Sequence, residues 1–346
     1  MEKNNGKLIQ DKLHDYENAF SGIVGQNYAK KHIASALISQ RNLIISGPPG
    51  IGKTSIAKSI AQLLGKITVN DCGYHCSPSQ PLCPICVHAQ REGRKMPTRE
   101  LEPEERFIRV QGSPDLTAED LLGDIDPMTA LKLGPTSIEA FKPGKIFTAN
   151  QGVLFFDEIN RAPERLQNAL LQVLEEHIVT IGSYKIDFPA KFILIGTMNP
   201  KDSSTEKLSE VFLDRFDIVD MDYPDNENDE YTILDMHAKR EGANVKENVA
   251  RSIVVFVQTL RSNPYVLFGP SVRGTIGLYE RASTHAKLSG KEETDFDDVK
   301  AVASSVLSHR IVLKPSAGFE KSKSEFVKQQ FEEFEREYSE KSDSIR

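Results

Sequence analysis

Gly47-Pro48-Pro49-Gly50-Ile51-Gly52-Lys53-Thr54 follows a short apolar run, Asn42-Leu43-Ile44-Ile45-Ser46. It precedes a stretch that places Ile56, Ala57, Ile60, Leu63 and Leu64 on one helical face. The eight residues fit G-x-x-x-x-G-K-[ST] in the required context, after a strand and opening a helix. Glycines let backbone N–H groups turn inward around phosphate oxygens, and a helix N-terminus adds partial positive charge. Lys53 is therefore expected to reach the β- and γ-phosphates of a nucleotide, and the Thr54 hydroxyl to ligate Mg²⁺. Gly47 to Thr54, with Ser55, form the expected binding loop.

Hydrolysis of such a nucleotide needs an acidic residue at the end of a neighbouring strand. The apolar run Val153-Leu154-Phe155-Phe156 ends in Asp157-Glu158. Asp157 suits the metal shell, and Glu158, one residue on, suits polarising the attacking water. Lys191 to Gly196 form a third apolar run, with Phe107–Val110 and Ile218–Met221 as weaker candidates. Continuous apolar strands between helical patterns predict an α/β fold with a parallel sheet covered on both faces.

The chain has 346 residues, 39% hydrophobic and 27% charged, enough apolar material for a core and for two or more domains. No window approaches the roughly 18 apolar residues that cross a bilayer, and the first residues are polar, so a cytoplasmic protein with no membrane association is expected. Asp plus Glu number 50 against 43 Lys plus Arg, a net charge of -7. That balance argues weakly against nucleic acid as the main partner.

Residues 65–105 break the strand–helix rhythm with five prolines and all four cysteines, Cys72, Cys76, Cys83 and Cys86. Clustered cysteines in a cytosolic chain favour a metal. Structural zinc held by four thiolates is expected. An iron–sulfur cluster and free or redox-active thiols remain open, with His75 and His88 as rival ligands. The module is expected on the periphery, as a staple or a docking knob. At the other end, Phe326, Val327, Phe331, Phe334 and Tyr338 fall on one stripe of a charged tail. That tail packs on its own domain or binds a partner.

These motifs together resemble the AAA+ ATPases, most closely the MoxR and magnesium-chelatase ATPase-subunit group with its helix-2 insert. Phe20 to Gln26 is similar to the segment lining the adenine pocket, which implies nucleotide contacts for Ile23, Val24, Gly25 and Gln26. Asp157 to Pro163 resembles the MoxR form of the acidic motif. Thr197-Met198-Asn199-Pro200 resembles sensor 1, which implies that Asn199 orients the water. Leu213-Asp214-Arg215-Phe216 resembles the arginine-finger element, and Gly269 to Arg273 resembles sensor 2. With Lys53 and Glu158, the resemblance thus implies catalytic roles for Asn199, Arg215 and Arg273.

The implied architecture is a P-loop AAA+ core with a five-stranded parallel sheet between helices, followed by an all-α lid. The expected boundaries are a flexible arm at 1–17, the core at 18–226, the lid at 227–314 and the tail at 315–346. Within the core lie the cysteine-rich insert at 65–105, a helix-2 insert at 124–148 and a pre-sensor-1 hairpin at 177–190. The cofactors implied are ATP and Mg²⁺. The assembly implied is a homo-oligomeric ring, expected as a hexamer, with Arg215 acting in trans. A von Willebrand factor A-type protein is the expected partner. The activity implied is Mg-dependent ATP hydrolysis that remodels a partner or drives metal insertion, as in a magnesium chelatase-type complex. The alternative is a nucleic-acid motor or loader of the same clade. Against it, segment 177–190 carries one lysine, Lys185, facing Asp187 in composition, and no basic comb. A nucleotide-gated scaffold is disfavoured by the presence of Glu158, Asn199 and Arg215.

Overall fold

The computed structural model describes residues 11–134, 137–181, 186–200, 208–224, 226–315 and 322–344. The chain divides into two compact units, Met1–Pro48 with Gly52–Met221, and Pro49–Ile51 with Asp222–Arg346.

In chain order the strands of the first unit are β1 (Asn42–Ser46), β2 (Ile67–Asn70), β3 (Thr98–Leu101), β4 (Phe107–Gln111), β5 (Gly123–Ile125), β6 (Phe141–Pro143), β7 (Val153–Asp157), β8 (Ile178–Ile181), β9 (Ile186–Pro189), β10 (Ile193–Met198) and β11 (Phe216–Asp220). Five of them form one parallel sheet in the order β11-β1-β10-β7-β4. The three central strands are those with continuous apolar runs, and they are buried almost throughout. The two weaker candidates are the edge strands β4 and β11, where burial alternates with exposure. An edge strand has one neighbour and an open flank, so its sequence carries less apolar signal.

Helices cover the sheet. They are α1 (Tyr16–Ala19), α2 (Asn27–Ile38), α3 (Lys53–Leu63), α4 (Pro84–Arg91), α5 (Ala118–Leu122), α6 (Pro127–Leu133), α7 (Lys145–Thr148), α8 (Glu164–Glu176) and α9 (Glu210–Leu213). Helix α3 packs on β10 and β7, and α2 on β1 and β11. Helix α3 buries Ile56, Ala57, Ile60 and Ala61; of the stripe read from the sequence, Leu64 just past the helix is also buried and Leu63 is half-buried.

Three excursions leave this frame. Strands β2 and β3 pair antiparallel, with the cysteines in the loop between Asn70 and Thr98. Strands β5 and β6 pair antiparallel across α6, which Asp126 caps by accepting the N–H groups of Met128 and Thr129. Strands β8 and β9 form the hairpin pattern read over 177–190. Its tip, 182–185 with Lys185, lies outside the described residues, as do Pro135 and Thr136 of the insert.

The arm expected over 1–17 needs correction within the described residues. Leu13 is 1% exposed, and Lys12 donates to the Leu63 carbonyl at 3.4 Å. A few apolar residues in a polar stretch are a weak periodic signal, yet Leu13 and Lys12 are tied to the first unit.

The second unit contains α10 (Glu227–His237), α11 (Glu247–Ser262), α12 (Val272–Leu288), α13 (Phe296–Leu307) and α14 (Lys323–Ser344), with two short strand pairs between loops. Its core joins Leu234, Ile253, Val257, Leu278 and Val302 to Phe326, Val327, Phe331 and Phe334 of α14. Of the two readings of the tail stripe, docking on its own domain is the one observed. Inside this core Glu230 is fully buried. Arg261 grips it with two hydrogen bonds of 2.6 and 2.7 Å, and Thr275 adds a third at 2.5 Å. A buried carboxylate needs this full set of donors to offset its lost hydration.

Candidate active site

The C-terminal ends of β1, β10 and β7 lie side by side because these strands are parallel neighbours. In open parallel sheets this edge, where the order reverses, is where ligands bind. Strand β1 runs into the glycine loop. Gly47, Gly50 and Gly52 have φ of 152°, 76° and 94°, conformations that L side chains rarely adopt. The Gly47 N–H donates to the Met198 carbonyl at 3.1 Å, so the loop's first residue is tied to the end of β10. Lys53, the first residue of α3, turns its Nζ back onto the carbonyls of Gly47 (2.6 Å) and Pro48 (2.9 Å). Thr54 and Ser55 follow in the first turn, half-buried and exposed respectively. The ammonium thus stands over the loop where a triphosphate's negative oxygens would meet it.

Strand β7 ends at Asp157, and Glu158 follows in the left-handed region at φ 54°. That conformation is strained for a non-glycine residue and aims the side chain off the strand axis. Several neighbours hold the acidic pair. The Thr197 hydroxyl on β10 donates to Asp157 Oδ1 at 2.7 Å, and the Glu158 N–H donates to Thr197 Oγ1 at 2.9 Å. Arg109 on β4 pairs with Asp157 Oδ2 at 2.5 Å. Gln111, two residues on, donates to Glu158 Oε2 at 3.1 Å. The Gly112 N–H donates to the Asp157 carbonyl at 2.7 Å, and a Cβ at Gly112 would sit 2.0 Å from the Glu158 carbonyl oxygen. Only glycine allows that approach.

Asn199 follows β10 directly and is half-buried. It thus shares this edge with the loop and the acidic pair. Ile23 to Gln26 form the turn into α2, the helix packed on β1 and β11; Gly25 and Gln26 are both left-handed there. Arg215 stands between α9 and β11, bound to Asp214 at 2.8 Å and to Glu175. Arg273 is the second residue of α12, in the second unit, with an exposed side chain. Arg109, Gln111, Gly112 and Arg161, which pairs with Glu158 at 3.4 Å, were not singled out from sequence. For Arg109, Gln111 and Gly112 the signal is the register of β4 against β7, Gln111 opposite Asp157, which a linear reading does not contain; Arg161 lies only three residues past Glu158.

Hard oxygen donors suit Mg²⁺, and the Thr54 hydroxyl with the Asp157 carboxylate is such a set. The cysteines form a second, separate set. The sulfurs of Cys72, Cys76, Cys83 and Cys86 all lie within 4.8 Å of one another, and all but Cys72 are buried. Hydrogen bonds from the Cys76 and Cys83 thiols hold Cys72 down to about 2. Cys76 and Cys83 are pushed up, first by their hydrogen bonds to Cys72, and burial takes Cys86 up to about 12. Like-charge crowding opposes ionisation of neighbouring thiols, and a divalent cation would reverse that. The rival histidines turn elsewhere, His75 to Arg99 at 3.1 Å and His88 to Glu92 at 3.3 Å.

Family profiles match three stretches. Residues 19–76 match magnesium chelatase, subunit ChlI. Residues 98–218 match the ATPase family associated with various cellular activities (AAA), and residues 258–331 the AAA lid domain. Among relatives, the magnesium-chelatase subunit ChlI homolog of Methanocaldococcus jannaschii is 26% identical over 88% of both chains. The magnesium-chelatase 38 kDa subunit of Acidiphilium rubrum is 28% identical over 86% of this chain and 91% of its own. The chaperone MoxR1 of Mycobacterium tuberculosis is 24% identical over 84% of this chain and 73% of its own.

Proposed function

Because the chain belongs to the AAA+ ATPases of the magnesium-chelatase and MoxR group, we propose that it hydrolyses Mg·ATP as a ring motor. Its output is the remodelling of a partner protein or the driving of metal insertion. The observation that carries this reading is the meeting of Lys53, Asp157, Glu158 and Asn199 along one sheet edge.

In this mechanism the loop amides of residues 47–54 and the Lys53 ammonium bind and orient the β- and γ-phosphates. Thr54 and Asp157 would hold Mg²⁺, which would supply charge neutralisation to the phosphates. Glu158 accepts a hydrogen bond from the attacking water, and Asn199 orients it. Arg215 enters the neighbouring protomer's site, which makes the ring, a hexamer in this reading, necessary for turnover. Arg273 contributes from the lid. Ile23 to Gln26 line the adenine side. The β5–β6 excursion and the β8–β9 hairpin carry the motion to a client. A von Willebrand factor A-type protein is the proposed partner in trans, and the cytoplasm the proposed location. The four cysteines are read as a structural zinc site.

Sedimentation of the Glu158→Gln protein with and without Mg·ATP tests the assembly. The reading expects ATP to drive it from small species into one ring-sized species that captures a partner from native extract. A protein that stays monomeric under saturating ATP contradicts the ring.

A further inference from the structure

The cysteine loop leaves and re-enters the chain at the end of the β2–β3 pair, where Asn70 lies opposite Thr98. Its sulfurs are nonetheless not peripheral. Cys76, Cys83 and Cys86 lie in the same apolar core as Val110, Phe147, Leu154 and Phe156. Two side chains just ahead of β7 hold the loop's backbone. Asn150 Nδ2 donates to the carbonyls of Tyr74 (2.8 Å) and His75 (3.3 Å), and Gln151 Nε2 donates to the His75 carbonyl at 2.6 Å.

The same two residues reach the lead-ins of the neighbouring strands. The Lys191 N–H donates to Asn150 Oδ1 at 3.0 Å, and the Gln151 N–H to the Lys191 carbonyl at 2.6 Å. Arg106 Nε donates to the Gln151 carbonyl at 3.2 Å. Residues 106, 150–151 and 191 open β4, β7 and β10, the strands whose far ends carry Gln111, Asp157 and Thr197. One turn therefore ties the cysteine loop to all three.

We propose that Cys72, Cys76, Cys83 and Cys86 hold a zinc ion that braces the nucleotide-binding unit, with Asn150 and Gln151 linking the site to the strand that carries Asp157 and Glu158. Tetrahedral zinc with bonds of about 2.3 Å places its sulfurs about 3.8 Å apart. Sulfurs all within 4.8 Å of one another need little movement to reach that geometry. Two of the ligands flank the turn that Asn150 grips. His75 in that turn is left-handed at φ 49°, and bonds at Cys72 and Cys76 on either side fix a conformation that the chain alone disfavours. Metal affinity at such a site is folding free energy for the segment it closes. The link to catalysis rests on the ATPase reading; the brace itself does not.

Protein purified without added metal, analysed by elemental mass spectrometry and visible absorption, is the first test. About one zinc per chain and no iron chromophore are expected. Removing the zinc with a chelator under reducing conditions lowers the Tm by about 10 °C or more, and returning it restores the Tm. Asn150→Ala keeps its zinc but loses at least about half of that zinc-dependent shift, because the link is cut. Cys72→Ser, which alters the least buried ligand, keeps the fold and gives up zinc at about tenfold lower chelator. Folded protein with four titratable thiols and no metal, an iron–sulfur spectrum, or a Tm unchanged by zinc removal overturns the proposal. A zinc-dependent Tm in protein that binds no ATP upholds the brace and defeats the ATPase reading instead.

Discussion

Thr197 donates its hydroxyl proton to Asp157 across 2.7 Å while accepting the N–H of Glu158 at 2.9 Å. A hydroxyl has one proton to give, so the donor and acceptor roles are assigned by chemistry. Both acidic residues are thereby fixed to β10, and Thr197 is 1% exposed.

Thr197→Val keeps the shape and removes both bonds. Hydrogen bonds to charged groups are worth about 1.5–3 kcal/mol, so kcat for ATP hydrolysis should fall by about 10- to 100-fold. ATP affinity, measured by fluorescent-nucleotide titration, should change little, because the loop amides are untouched. An unchanged kcat would remove the clamp from the mechanism.

Arg215 rests between Asp214 and Glu175 in the isolated chain. To act in trans it must exchange those carboxylates for a phosphate at a subunit interface. Arg215→Ala should bind ATP normally and lose about 10³-fold in turnover. Mixing it with a Lys53→Ala chain, itself unable to bind nucleotide, should restore activity at the interfaces that pair an intact finger with an intact loop. Failure of the mixture alongside two inactive parents would place the arginine in cis.

Arg106 is 2% exposed, and its guanidinium donates to the carbonyls of Leu64 and Gly65, both at 2.7 Å, and of Gln151. Burial lowers it to about 10, still charged at neutral pH. It joins the end of α3 to the turn before β7. Arg106→Met would leave three carbonyls unpaired and cost about 3 kcal/mol or more, read as a lower midpoint in urea unfolding. Arg106→Lys should recover only part, since one ammonium cannot span the fork.

In the second unit Asp298 is 1% exposed. Burial pushes its carboxyl up, but the Asp295 N–H, His285 and Lys291 outweigh this and hold it at about 2. Unfolded aspartate sits near 3.9. A depressed carboxyl contributes stability above the unfolded value and loses it as pH falls through the folded one. Wild type should therefore exceed Asp298→Asn in thermal stability by a constant margin above about pH 4, shrinking to nothing near about pH 2. A margin flat across that window would show that the charge contributes nothing.

The central strands were legible because burial on both faces demands uninterrupted apolar runs, as in Leu43–Ile45 and Val153–Phe156. The edge strands were faint for the converse reason. The glycine loop and the acidic pair carried their own local chemistry. Arg109 and Gln111 did not, because what gives them a place is the pairing of β4 with β7 across more than forty residues of chain. The convergence of the four cysteines was legible from their spacing. Their position in the core was not, since Asn150 and Gln151, which hold them there, are some 75 residues away in sequence.

The most direct measurement of the central claim is single-turnover hydrolysis of γ-labelled ATP with Mg²⁺ by wild-type and Glu158→Gln protein, beside their nucleotide affinities. Wild type should release phosphate, while Glu158→Gln should bind ATP as well or better and hydrolyse it at least about 100-fold more slowly. Wild-type protein that binds no Mg·ATP, or a Glu158→Gln chain that turns over at the wild-type rate, would contradict the account.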